Sequence, residues 1–161
     1  MDRQDIERTV ARIVEQVRSQ QTHSAATGAD ITLEQALELA GEVRLKAREI
    51  GVNAVIAISD SACRPVLVQC MDGCLQAAYD IAVNKAYTVT AMRMSTSQLK
   101  TLAQPGGSLY GIQHTNGGRI VIFGGGELLQ RGGLTAGGLG VSGGTEEQDT
   151  YLAKYGKGLF K

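Results

Sequence analysis

Apolar residues repeat along this chain with the spacings of helices and strands. The apolar residues of the first such segment are Ile6, Val10, Ile13, Val14 and Val17. This spacing places them on one helical face and predicts an amphipathic leader helix over residues 1–20. Residues 21–30 have no periodicity and a polar composition, which predicts a flexible linker. A folded domain is therefore expected over residues 31–161.

Within that domain the pattern alternates between helical and extended segments. Capping-box patterns begin at Thr32 and Thr145, and each predicts the start of a helix. The predicted helices cover residues 32–50, 74–93, 95–103 and the segment after residue 145. The predicted strands cover residues 52–59, 66–68, 120–123, 128–129 and 139–141. Short connections between strands favour antiparallel pairing, so we expect an α+β fold with a central five-stranded antiparallel sheet between helices.

Glycine is concentrated near the end of the chain. Fifteen of the 21 glycines lie in residues 105–144, interleaved with short β-branched runs. The glycine pairs and triplets predict tight turns and bulges between strands. Gly138 to Gly143 fits the dinucleotide pattern G-x-G-x-x-G, but too few residues follow for a second βαβ strand. The segment 105–144 is therefore interpreted as strands and turns, with a site beside it.

Composition excludes several classes of partner. The 161 residues carry 16 basic and 16 acidic side chains, so no net charge attracts nucleic acid or an anionic membrane surface. No apolar run approaches the roughly 20 residues of a membrane span. The amino terminus lacks the apolar core of a secretory signal. We therefore expect a cytoplasmic protein whose three cysteines are reduced thiols.

Two side chains in the folded domain carry candidate chemistry. His114 is the only histidine in residues 31–161, and it lies between Tyr110 and Asn116. It is either a hydrogen-bonded loop residue or an axial haem ligand. Lys85 lies on the apolar side of the helix predicted over residues 74–93. Its ammonium either extends to the edge of that side or lies near a pocket, where it meets a carboxylate or the propionate of a ligand.

Six segments together resemble the GlcG/HbpS-type domain, which is also the C-terminal accessory part of the propanediol-utilisation type of cobalamin adenosyltransferase. They are RPVLVQCMDG (64–73), DIAVNKAYT (80–88), PGGSLYG (105–111), NGGR (116–119), FGGG (123–126) and GVSGGTEEQD (140–149). The resemblance covers about residues 31–156. It implies a profilin-like, three-layer α/β/α fold, assembly into a homo-oligomer, often an octamer, and haem binding in some members.

That resemblance sets the site hypothesis. If haem binds, we expect it beside residues 110–119, with His114 as the iron ligand and the Tyr110 phenolate as the alternative. Lys85 and Arg119 are the candidates for the propionates, and Asn116 completes the cofactor-binding set. A corrinoid is the other cofactor considered. The chain departs from the family in three respects: it lacks a secretion signal, it lacks an adenosyltransferase catalytic domain, and it has no histidine in the helix over residues 32–50.

The leader has a resemblance of its own. Residues 8–17 are similar to the encapsulation peptides of bacterial microcompartment cargo, which implies a shell or cargo partner for residues 1–20 and a location in the microcompartment lumen. The alternative is a helix that packs on its own domain or a neighbour. The favoured hypothesis is an oligomeric accessory protein that binds haem or a corrinoid. Whether it is also an enzyme stays open, although the missing adenosyltransferase catalytic domain argues against cobalamin adenosylation by this chain alone. The alternatives are a small oxidoreductase or haem-modifying enzyme, and a structural assembly module without a ligand.

Overall fold

The computed structural model describes residues 7–8, 11–12 and 29–161. The four described residues at positions 7–8 and 11–12 are helical and exposed. The rest of the predicted leader helix and nearly all of the predicted linker lie outside the described residues. The helices are α1 (Leu33–Glu49), α2 (Gln76–Met92), α3 (Thr96–Leu102) and α4 (Glu146–Leu159). The strands are β1 (Val55–Asp60), β2 (Pro65–Cys70), β3 (Gly126–Arg131) and β4 (Leu134–Ser142). None of the helices in the described part of the chain has the length and apolarity needed to cross a membrane.

The described sheet has four strands rather than the five expected. Its order is β2-β1-β4-β3, and every neighbouring pair is antiparallel. Residues 120–123 were predicted as a strand and are not one. Ile120 and Val121 are buried, but the Val121 N–H donates to the Thr88 hydroxyl on α2 at 3.0 Å instead of to a neighbouring strand. The apolar side chains of Ile120 and Val121 are buried beside α2 without strand pairing. Their apolar character therefore does not indicate a strand.

Helices cover both faces of the sheet. Helices α1 and α4 pack together on one face, and α2 packs on the other, mainly against β4 and β1. Leu139 and Val141 of β4 are fully buried in the core beneath α1 and α4. The α+β class and the three-layer arrangement are therefore confirmed, with a smaller sheet than predicted.

Glycine in β4 brings α2 close to the sheet. A Cβ on Gly140 would lie 2.1 Å from the Ala82 carbonyl oxygen, and one on Gly138 would lie 2.4 Å from the Ala86 carbonyl oxygen. A side chain at either position would therefore collide with the backbone of α2. The strand predicted over residues 139–141 correctly includes Gly140, whereas the prediction that glycine pairs mark turns or bulges is wrong for Gly138, which also lies inside β4.

Three of the helices begin at a residue whose side chain caps the helix N-terminus. The Thr32 hydroxyl accepts from the Gln35 N–H at 3.2 Å, and the Thr145 hydroxyl accepts from the Gln148 N–H at 3.3 Å. Ser95 caps α3 in the same way. Both predicted capping boxes are thus confirmed, because each depends only on residues three positions apart.

Candidate functional site

The segment 105–119 lies between α3 and β3 along the chain and contains two short 3₁₀ helices, Ile112–His114 and Asn116–Gly118. The backbone of Asn116 and Gly117 is left-handed, with φ of 52° and 66°. This conformation is accessible to glycine and tolerated by asparagine. The turn brings Arg119 back onto α2, so the segment is anchored at its carboxyl end.

Arg119 and Asn116 are both fixed on Tyr87 of α2. The Arg119 guanidinium carbon lies 3.7 Å from the centroid of the Tyr87 ring, and the Asn116 amide donates to the Tyr87 hydroxyl at 3.1 Å. The Arg119 backbone carbonyl also accepts from the Thr88 hydroxyl at 3.2 Å. Stacking on an aromatic ring preorganises a planar guanidinium. Because Arg119 is only half-buried, its cation remains accessible at the surface.

Tyr87 was not among the residues predicted from the sequence. A signal for it exists in the spacing of Asn84, Tyr87 and Thr88, which lie three and four positions apart and therefore on one side of α2. The Arg119 Nε also donates to the Asn84 side-chain oxygen at 3.5 Å. Three polar side chains on this side of α2 thus hold the segment that carries the candidate ligands.

The two candidate iron ligands are both at the surface. Tyr110 is 65% exposed and His114 is also exposed. The imidazole Nε2 lies 3.4 Å from the Gln113 amide nitrogen. Neither ring is engaged in the core, so either can offer a donor atom to a group outside the chain. Among the described residues no three His, Cys, Asp or Glu side chains cluster as a metal site.

Lys85 does not lie with these residues. Its side chain is fully buried, and its Nζ is 2.9 Å from Asp149 Oδ2 and 2.8 Å from the Val141 carbonyl oxygen. Burial lowers the pKa of Lys85, and the Asp149 carboxylate opposes that shift. The expectation that Lys85 extends to the edge is wrong, and the alternative of a carboxylate partner is confirmed. With its ammonium paired inside the core, Lys85 joins α2 to α4 and leaves Arg119 as the accessible cation of the predicted set.

A thiol lies in a crevice that Tyr87 and Arg119 also line. Cys63, in the β1–β2 turn, lines a small crevice with Val83, Tyr87 and Arg119. Burial raises the pKa of the Cys63 thiol, which keeps it protonated at neutral pH. A protonated thiol is a poor nucleophile, so this crevice does not provide an activated cysteine.

Comparison with known proteins agrees with this architecture. A family described as haem degrading protein HbpS-like matches residues 31–157. An uncharacterised 15.0 kDa protein of Citrobacter freundii, from the dhaT-dhaS intergenic region, is 46% identical over 126 residues, which are 78% of this chain and 89% of that protein. The corrinoid adenosyltransferase PduO of the same organism is 34% identical over 149 residues, which are 92% of this chain and 44% of PduO.

A solved structure extends the similarity to three dimensions. The crystal structure of a PduOC–haem complex superposes with a TM-score of 0.78 at 32% identity, and the match covers 80% of this chain and 94% of that one. The family match covers most of the chain and spans every described helix and strand from α1 to β4. The chain therefore belongs to the HbpS-like family.

Proposed function

We propose that this chain is a homo-oligomeric accessory protein that binds haem through residues 105–119. The observation that carries the proposal is the exposed imidazole of His114, displayed on a segment that Arg119 and Asn116 anchor to Tyr87. The PduOC–haem complex, at 32% identity, supports haem as the ligand. Neutral imidazole is the common protein ligand of haem iron.

The donor set fits this cofactor. His114 would ligate the iron, or Tyr110 would do so as a phenolate, and Arg119 would pair with a propionate. Asn116 supports that arrangement through its hydrogen bond to Tyr87. Lys85 was expected to share the propionate role, but its ammonium is bonded to Asp149 and shielded from solvent. When bound, the haem would supply a redox-active iron, and the residues of this chain would orient it.

Self-association forms part of the proposal. His114 and Tyr110 are both exposed, so a haem bound by either residue of one chain would remain partly exposed to solvent. A second copy would complete the enclosure and exclude water. A closed symmetric homo-oligomer, such as the octamer that the family resemblance implies, would supply that contact.

The proposed location is the lumen of a bacterial microcompartment in the cytoplasm, with residues 1–20 binding a shell or cargo protein. The similarity of residues 8–17 to encapsulation peptides supports this part. A corrinoid is the second candidate ligand, favoured by the 34% identity to the corrinoid adenosyltransferase PduO. The chain spans less than half of PduO, so the activity of that whole enzyme is not transferred to this chain.

Absorbance titrations of the purified full chain discriminate between the ligands. We expect haem to produce a saturable Soret shift at one haem per site, and cobalamin to leave its own spectrum unchanged. A spectral change with cobalamin and none with haem would show that the ligand is a corrinoid and not haem. A chain that perturbs neither spectrum would overturn the proposal and favour an assembly module. Turnover of the bound haem with a reductant would favour the enzymatic alternative.

A further inference from the structure

The outward side of α1 carries an apolar stripe that the described chain leaves uncovered. Leu37 is 46% exposed and Leu45 is 49% exposed. Gly41 lies midway between them, on the same side of the helix. The opposite side, which includes Leu39 and Val43, is buried against the sheet. Helix α1 therefore has one stripe in the core and a second one facing outward.

The residues of this outer stripe are arranged symmetrically about Gly41. The sequence from Glu34 to Arg48 reads E-x2-L-E-x2-G-x2-R-L-x2-R. Leucines lie four positions to each side of the glycine. Glutamates lie three and seven positions before it, and arginines lie three and seven positions after it. Reversing the helix direction therefore maps leucine onto leucine and each glutamate onto an arginine.

The described part of the chain gives these charges no partner. None of the ion pairs among the described residues includes Glu34, Glu38, Arg44 or Arg48. The Arg44 Nε is buried without any hydrogen-bond acceptor in the described structure. None of these four charges is therefore ion-paired among the described residues, and a reversed copy of the same helix would bring an arginine near each glutamate.

Gly41 is also unexplained by the packing of the described residues. A Cβ at this position would meet nothing within 4 Å. Glycine in a helix interior costs about 1 kcal/mol relative to alanine, and no contact with another described residue offsets that cost. The absence of a side chain does allow a second helix backbone to approach closely.

We infer that the outer side of α1 is a homodimer interface in which two copies of α1 cross antiparallel with Gly41 on the two-fold axis. In this arrangement Leu37 packs on Leu45 of the second copy. Glu38 pairs with Arg44 of the second copy, and Glu34 pairs with its Arg48. Every contact occurs twice, as an isologous interface requires. The contact extends over about 21 Å of helix at 1.5 Å per residue.

This inference rests on the self-association contained in the proposed function and specifies its surface. It does not depend on haem, because none of the haem-site residues lies on α1. The two ideas are therefore separable: an oligomer that forms without this surface would remove the inference and leave the proposed function in place.

Charge reversal in two chains tests the geometry. One variant carries Glu34→Arg and Glu38→Arg, so that its outer stripe is wholly basic; the other carries Arg44→Glu and Arg48→Glu and is wholly acidic. In a homodimer of either variant, charges of the same sign would face each other across the interface. We therefore expect each variant alone to have half the wild-type mass by light scattering. Mixing the two restores opposite charges at all four pairs, and we expect the wild-type mass to return.

Two further variants complete the experiment. Gly41→Leu fills the crossing point with a good helix former; we expect an unchanged or higher melting temperature together with half the wild-type mass. Leu134→Gln removes an exposed leucine of similar exposure, at 60%, away from α1 and should keep the wild-type mass. Variants that retain the full mass, or a mixture that fails to reassemble, would overturn the inference. A monomeric wild-type chain would overturn both the inference and the proposed oligomer.

Discussion

Replacing Lys85 with methionine should destabilise the domain strongly. The substitution keeps the length of the buried stem but removes the ammonium, leaving the Asp149 carboxylate with the Gly144 N–H at 3.0 Å as its hydrogen-bond donor. Removing one member of a buried ion pair costs about 3–5 kcal/mol, because the remaining charge is desolvated without compensation. The Val141 carbonyl also loses the donor that lies 2.8 Å away. The loss is large beside a total stability of about 5–15 kcal/mol for an ordinary domain.

Urea unfolding followed by circular dichroism at pH 7 measures this loss. With a slope of about 2 kcal/mol per molar urea, the midpoint of Lys85→Met should fall by about 1.5–2.5 M. The double variant Lys85→Met/Asp149→Asn should lose less than Lys85→Met alone, since it leaves no buried charge and keeps an acceptor for Gly144. Lys154→Met, at an exposed position of α4, is the control and should shift stability by less than about 0.5 kcal/mol. A loss below about 1 kcal/mol for Lys85→Met would refute the buried pair.

Three further predictions follow from packing, electrostatics and the leader. Gly140→Ala should destabilise the domain by at least about 1–3 kcal/mol in urea unfolding through collision with α2, whereas Gly158→Ala, which meets open space, should not. Hydrogen bonds from Lys100 and the Gly124 N–H lower the pKa of Glu146. Its contribution to stability should therefore be present above pH about 4.5 and disappear as the pH falls through the lowered pKa; Glu146→Gln should flatten that acid limb. Deleting residues 1–28 should leave the melting temperature unchanged and abolish co-purification with shell proteins; a large drop in melting temperature would contradict this.

Short-range signals account for the part of the fold that the sequence predicted well. A capping box such as that of Thr32 involves two residues three positions apart, so it is visible before the tertiary structure is known. Residues 120–123 have the composition of a strand, but their pairing depends on the Thr88 hydroxyl of α2. Gly138 belongs to a glycine pair and predicted a turn for the same reason: the close approach of α2 that requires this glycine belongs to the tertiary structure.

The candidate site divides in the same way. His114, Tyr110, Asn116 and Arg119 were found because they lie within one short segment. The Lys85–Asp149 pair joins residues 64 positions apart, and local spacing contains no information about such a contact. Arg119 was identified as a cation, but its orientation depends on Tyr87, which sequence reasoning had not included.

The most direct test of the haem-binding proposal is a haem titration of wild type, His114→Ala and His23→Ala side by side, followed by absorbance. His23 lies in the polar segment before the domain and serves as a matched imidazole control. The account predicts that His114→Ala weakens haem binding and moves the Soret maximum, while His23→Ala matches wild type. An affinity and a spectrum unchanged in His114→Ala would contradict the assignment of the iron ligand and return His114 to the role of an ordinary loop histidine.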